Sequence, residues 1–187
     1  MKVLASVEGR DHLRLFCALR LPDETLERLV LWQRRAFGGV EDVRVVGREN
    51  LHLTLAFLGR RPVEDLDAVA GALREAAAGV EPPVLSVDRY RETRSVGMLA
   101  LREEEPRSER LAVELHERLE RLRVYEREQR RWLPHVTVLR FRRPPRLRPE
   151  LPDLGTFTPS DAAVYMSVLR PGGAQYGVLE SVALGGR

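Results

Sequence analysis

The sequence predicts an α+β fold. Its 187 residues, with a hydrophobic fraction of 43% and a charged fraction of 32%, suit one compact globular unit with a sizeable core. Segments with helical and strand-like periodicity follow one another without the regular βαβ alternation that a doubly wound parallel sheet requires. Apolar runs fall far short of the roughly 20 residues that span a bilayer, so no membrane segment is expected.

Residues 1–12 are expected to be a loosely attached, flexible N-terminal leader, and residues 13–187 a single domain. The leader lacks an apolar stretch of signal-peptide length, which predicts a cytoplasmic protein. Leu13 to Leu19 alternates as a strand does. Pro22 and Asp23 open a helix whose apolar positions Leu26, Leu29, Val30 and Phe37 keep helical spacing until Gly38 and Gly39 end it. Two extended segments follow, Asp42 to Val46 and Leu51 to Leu58. A second helix fits Val63 to Ala78, with Leu66, Val69, Ala70 and Leu73 in one stripe and Gly79 as its stop. Val84 to Tyr90 and Ser95 to Leu101 read as a strand pair. The third helix runs from Ser108, as N-cap, to about Arg123, with Leu111, Leu115, Leu119 and Leu122 aligned. A strand at His135 to Phe141, a loop rich in Pro and Arg from Arg142 to Pro152, and strands at Ala162 to Leu169 and Tyr176 to Leu184 complete the chain.

The net charge of +3 says little, since Lys2 is the only lysine and nearly every cation is an arginine. Distribution says more. Ten arginines lie between Arg121 and Arg148 against two acids, Glu126 and Glu128, a local charge of +8 that suits either a solvated face or a phosphate-rich ligand. The lone Cys17, between Phe16 and Ala18, forms no intrachain disulfide and reads as a buried strand residue.

One short pattern occurs twice. His52-Leu53-Thr54-Leu55 and His135-Val136-Thr137-Val138 are 83 residues apart, each inside a β-prone run. In a strand, positions i and i+2 share a face, so each copy presents an imidazole beside a hydroxyl while its aliphatic residues face a core. The other histidines lack this context and read as structural: His116 on a solvent or boundary face of the third helix, His12 just before the first strand.

With these motifs in order, the sequence resembles the two-histidine phosphoesterase superfamily and, within it, the RNA 2′,3′-cyclic phosphodiesterases, also called 2′-5′ RNA ligases. The likeness rests on Arg14 to Leu19 with Leu21-Pro22, on Glu49 to Gly59, on Trp132 to Arg140, and on Ser167-Val168-Leu169 with Gly173 and Tyr176. Ala56 stands where a lysine is common and Trp132 where phenylalanine is usual. The resemblance implies a bilobed domain of two mainly antiparallel sheets flanked by helices, with one motif from each lobe in a central cleft. It implies hydrolysis of RNA 2′,3′-cyclic phosphate ends to 2′-phosphate, with His52 as proton donor and His135 as proton acceptor, and ATP-independent 2′-5′ joining as a companion reaction. The residues alone do not assign which imidazole is acid and which is base.

Two imidazoles suit such chemistry because an unperturbed value near 6.5 lets one be neutral and the other protonated near neutral pH. Thr54 and Thr137 are candidate donors to the non-bridging phosphate oxygens, and Arg140 and Arg130 candidate phosphate ligands. Arg140 lies five residues after His135, so it shares a face with that histidine only if the strand bulges or ends near Leu139. No metal or other cofactor is expected: His-Glu-x-x-His is absent, carboxylates do not cluster beside either motif, and there is no Walker-type loop. The expected partner is RNA with a cyclic phosphate end, not a membrane, and the protein is expected to be a monomer. The alternatives are a non-catalytic RNA-binding module and a phosphodiesterase of small cyclic nucleotides. Phe57, Trp132 and Tyr176 are read as core rather than base-stacking residues.

Overall fold

The computed structural model describes residues 9–170 and 173–186. The first eight residues of the expected leader lie outside this range. The described chain contains nine strands and three α-helices in the order β1 (His12–Arg20), α1 (Asp23–Phe37), β2 (Val43–Val45), β3 (His52–Pro62), α2 (Asp65–Ala78), β4 (Leu85–Glu92), β5 (Val96–Glu103), α3 (Arg107–Arg121), β6 (His135–Phe141), β7 (Thr156–Phe157), β8 (Asp161–Arg170) and β9 (Gly173–Ala183). The strands pair antiparallel in the order β7-β4-β5-β6-β3-β1-β8-β9, with β2 on β6.

The two expected sheets are two halves of this array. Strands β3, β1, β8 and β9 form one half, and β7, β4, β5, β6 and β2 form the other; among the described residues, Leu53 opposite Val136 is the one residue pair that joins them through β3 and β6. Beyond that rung β6 is bordered by β2 instead, because Val46 N–H takes the Val138 carbonyl at 3.0 Å. The backbone groups left without a β3 partner are thereby satisfied.

Alternation in the strands sorts residues between a helix-covered back and an open front. Leu13, Leu15, Cys17 and Leu19 of β1 enter the main core, whereas Phe16 and Ala18 form a second cluster with Ala163 and Tyr165 on the other face. Helices α2 and α3 pack on each other and on the back of the first half; α1 reaches the second half through Gln33 to β6 and Phe37 against Tyr90 of β4. Trp32 Nε1–H donates to the Glu150 carbonyl at 2.8 Å. Asp23 and Glu24 in the first turn of α1, and Arg34 and Arg35 in its last, complement the helix dipole.

One expectation is corrected. Helix α3 begins one residue before Ser108, and its N-terminus is capped from outside: the Glu103 carboxylate, at the end of β5, accepts the N–H groups of Ser108 (2.9 Å) and Glu109 (3.2 Å) and the Ser108 hydroxyl (2.8 Å). A full negative charge serves orphan N–H groups better than a neutral hydroxyl. Strand β7 is only two residues long, too short for its sequence to announce it.

Candidate active site

Each repeated motif opens a strand. His52 and Thr54 stand half-buried on the front of β3, and Leu53 and Leu55 are buried behind; His135 and Thr137 stand likewise on β6, with Val136 and Val138 behind. Each strand then carries one extra residue at the matching place. On β3, Cys17 pairs with Ala56 but Ala18 pairs with Thr54, leaving Leu55 over; on β6, Gly97 pairs with Leu139 but Met98 pairs with Thr137, leaving Val138 over. These bulges shift the alternation by one, so Phe57 and Arg140, each five residues after a histidine, return to its face. The bulge that Arg140 needs is therefore present, where the sequence located it.

Both bulge carbonyls are held by a buried polar side chain from a helix behind the sheet. His116 of α3 donates from Nε2 to Leu55 O at 2.8 Å, and Gln33 of α1 donates to Val138 O at 2.9 Å and to Val46 O at 3.1 Å. His116 is thus structural, as expected, but it is buried at 5% exposure and not on a solvent or boundary face. Burial lowers its proton affinity and keeps it a neutral donor.

The antiparallel register around Leu53 and Val136 sets His52 beside Thr137 and Thr54 beside His135 on the front. Beside this junction opens a cavity of about 430 Å³, lined among others by His52, Thr54, Thr137 and Arg140. His135 is outside the lining but near enough that its charge lowers the proton affinity of His52. Arg130 is an exposed loop residue paired with Glu128 and does not line the cavity.

The two imidazoles are oriented alike. Nδ1–H of each donates at 2.8 Å to the carbonyl two residues back, Asn50 for His52 and Leu133 for His135. This bond fixes the tautomer and leaves Nε2 as the acceptor nitrogen; that of His52 accepts the Thr54 hydroxyl at 3.0 Å. Burial against Phe16 and Tyr176, more than the nearby charges of His135 and Arg140, pulls His52 down to about 4. His52 is therefore neutral near neutral pH.

Several wall residues went unassigned in the sequence. Arg44 of β2 lies directly opposite Arg140 and lines the same cavity. Asn50 Oδ1 is buried without a partner among the described residues, and Asn50 lines the cavity. Phe57 is 51% exposed at the rim with Arg14 over its ring and is not core, whereas Tyr176 packs half-buried against the front cluster of Phe16 and Tyr165 and also forms a wall of the cavity. Trp132 is half-buried and donates to Thr54 O at 3.1 Å, fastening the segment before β6 to β3. The sequence offered no signal for Arg44 or Asn50, because only the fold brings them to the cleft. Cys17 is fully buried, with its thiol pushed up to about 12 by desolvation, and is chemically inert.

Residues 21–165 match the 2′-5′ RNA ligase superfamily. The chain belongs to that superfamily. Its fold is similar to that of Escherichia coli LigT in apo form, with 27% identity over 94% of this chain and 99% of that one and a TM-score of 0.78. LigT complexed with 3′-AMP superposes with a TM-score of 0.76 at the same identity and coverage. Another similar structure is TT0787 of Thermus thermophilus, 29% identical over 93% of this chain and 99% of its own, with a TM-score of 0.77. A stretch of 65 residues, 33% of this chain, is 43% identical to the RNA 2′,3′-cyclic phosphodiesterase of E. coli K12 and spans 36% of that relative. The α+β architecture and the two-histidine phosphoesterase class are those that the sequence pointed to.

Proposed function

We propose that this protein hydrolyses 2′,3′-cyclic phosphate ends of RNA to 2′-phosphates, with His52 and His135 as its acid and base. One observation carries the reading: two His-x-Thr motifs meet at a single strand rung beside one cavity, each histidine with Nδ1 tied back to a backbone carbonyl. The activity named for the E. coli relative and the 3′-AMP complex of LigT support it.

In the assignment that the resemblance implies, His135 Nε2 takes a proton from water as the water oxygen bonds to phosphorus. The bond from phosphorus to the ribose 3′-oxygen breaks on the opposite side, and that oxygen takes the proton from His52. The product keeps its phosphate on the 2′-oxygen, and the two imidazoles have exchanged protonation states. Thr54 and Thr137 hydroxyls donate to the non-bridging oxygens, and Arg140 with Arg44 offsets their charge. With its proton affinity lowered to about 4, His52 needs the negative phosphate beside it to be charged as an acid. Replacing water by a 5′-hydroxyl RNA end gives 2′-5′ joining without ATP. A cytoplasmic place of action fits an RNA substrate.

The test is to incubate the protein, with and without EDTA, with an oligoribonucleotide ending in a 2′,3′-cyclic phosphate. The expected result is a terminal 2′-phosphate in both cases, with His52→Ala and His135→Ala each slower by about 10²- to 10⁴-fold. A terminal 3′-phosphate reverses the polarity of the two histidines. No turnover, with RNA binding retained by both variants, establishes the non-catalytic alternative.

A further inference from the structure

The register of the second half-sheet extends the site beyond the cavity. His135 of β6 pairs with Ala100 of β5, which pairs with Arg89 of β4; Thr137 pairs with Met98, which pairs with Arg91. Residues directly opposite in antiparallel strands point to the same face, so two rows lead from the motif across three strands and each ends in an exposed arginine. At 4.7–4.9 Å per strand, the arginine backbones lie about 10 Å from those of His135 and Thr137. Arg102, two residues beyond Ala100, adds a third exposed guanidinium and donates to Ser86 at 3.1 Å.

Little opposes this charge. Of the acids in β4, β5 and β6, Glu92 is turned to the N–H groups of Arg146 and Leu147, and Glu103 to the start of α3. Only Asp88 remains, at the β4 bulge, paired with Arg89. Arg91 and Arg102 have no ion pair among the described residues. By contrast, Arg127, Arg130 and Arg131, in the arginine-rich segment that the sequence singled out, pair with Glu120, Glu128 and Glu109. The front of β4 and β5 thus carries Arg91 and Arg102, without an ion pair among the described residues, beside Arg89 with its Asp88 partner.

We propose that this face binds the body of a single-stranded RNA whose cyclic end occupies the cavity, with Arg89 and Arg91 on the phosphates of the nucleotides next to the reacting one. The proposal rests on the RNA phosphoesterase reading and deepens it, since it makes an oligonucleotide, rather than a lone cyclic nucleotide, the favoured substrate. A strip of exposed arginines two strands from His135 and Thr137, in register with them, matches how proteins follow a single strand without reading its sequence. A mononucleotide in the cavity does not reach β4.

The experiment compares wild type with the Arg89→Gln/Arg91→Gln double variant on two substrates, a mononucleoside 2′,3′-cyclic phosphate and an octaribonucleotide with the same end. The salt range is about 50 to 200 mM. Wild type should prefer the octamer. The double variant should lose about tenfold in kcat/KM on the octamer with mononucleotide turnover unchanged, and the slope of log(kcat/KM) against log[salt] should become shallower by about 1.4, two phosphate contacts at 0.7 each. Equal octamer kinetics and salt slopes for the two proteins overturn the proposal while leaving the chemistry intact. An equal loss on both substrates also overturns it, by showing that the substitutions disturb the cavity. If wild type turns over neither substrate, the hydrolytic reading fails, and fluorescence anisotropy with the octamer then decides the track by itself: weaker, less salt-sensitive binding by the double variant sustains it, and identical binding ends it.

Discussion

His52 is where the environment departs furthest from what a free side chain does. Neutral His52 already has both ring nitrogens satisfied, by Asn50 O and the Thr54 hydroxyl, in a site walled by aromatic rings. Charging it means placing a cation beside Arg140 and His135 where little water reaches. Its folded value of about 4 lies below the ordinary 6.5, so on acidification the free enzyme takes up this proton late. For two coupled groups, kcat/KM falls on the acid side at the lower macroscopic value of the pair. The acid limb of kcat/KM is therefore expected near pH 4, with the plateau holding down to about pH 5. A limb at 6.5 would show His52 to be solvated. The same shift costs stability: between pH 6.5 and 4 the unfolded chain binds a proton that folded His52 refuses, so stability drops as the pH falls through that window. His52→Asn is expected to flatten that part of a denaturation profile. At this scale the sequence was legible where a motif repeats, as for His52, His135, Thr54 and Thr137. It was silent on Arg44 and Asn50, whose place in the cleft depends on which strand borders β6.

At the scale of elements, the two bulges decide what the motifs present. Leu55 and Val138 are 83 residues apart, as are the two histidines, and each has its carbonyl held from behind by a helix. Gln33→Leu removes the donor to Val138 O and Val46 O, leaving Val138 O with the Val46 N–H alone and the half-buried Val46 O without this donor, and is expected to cost about 1–3 kcal/mol by chemical denaturation. Loosening the bulge also releases the aim of Arg140, so kcat/KM should fall at temperatures where the variant is still fully folded. His116→Leu should behave likewise through Leu55 and Phe57. Unchanged kinetics in both folded variants would mean that the bulges hold their form without these bonds. The need for a bulge before Arg140 was legible as a conflict between strand parity and a phosphate-facing arginine. The residues that pin it were not, because Gln33 and His116 belong to helices whose packing partners are tertiary facts. The Glu103 cap of α3 escaped for the same reason, its acceptor being a strand end rather than the local Ser108.

At the scale of the molecule, the cleft exists because one sheet is almost two. A single rung holds β3 to β6 at their motifs, and behind it Leu53 and Val136 are both buried in the main core, so each half brings its histidine from its own rigid scaffold to a common edge. The interleaved order of helices and strands foretold the fold class. The crossing of α1 to the second half, and the register that aligns Arg89 and Arg91 with the motif, are long-range pairings that periodicity does not carry. The most direct check of the account is a crystal structure with a nucleoside 2′,3′-cyclic vanadate, a mimic of the five-coordinate phosphorus centre. The account predicts one vanadium centre flanked by His52 Nε2 and His135 Nε2 on opposite sides, each about 3 Å from one of its oxygens, with the Thr54 and Thr137 hydroxyls on the others. A centre that touches one imidazole and leaves the other in solvent would contradict it.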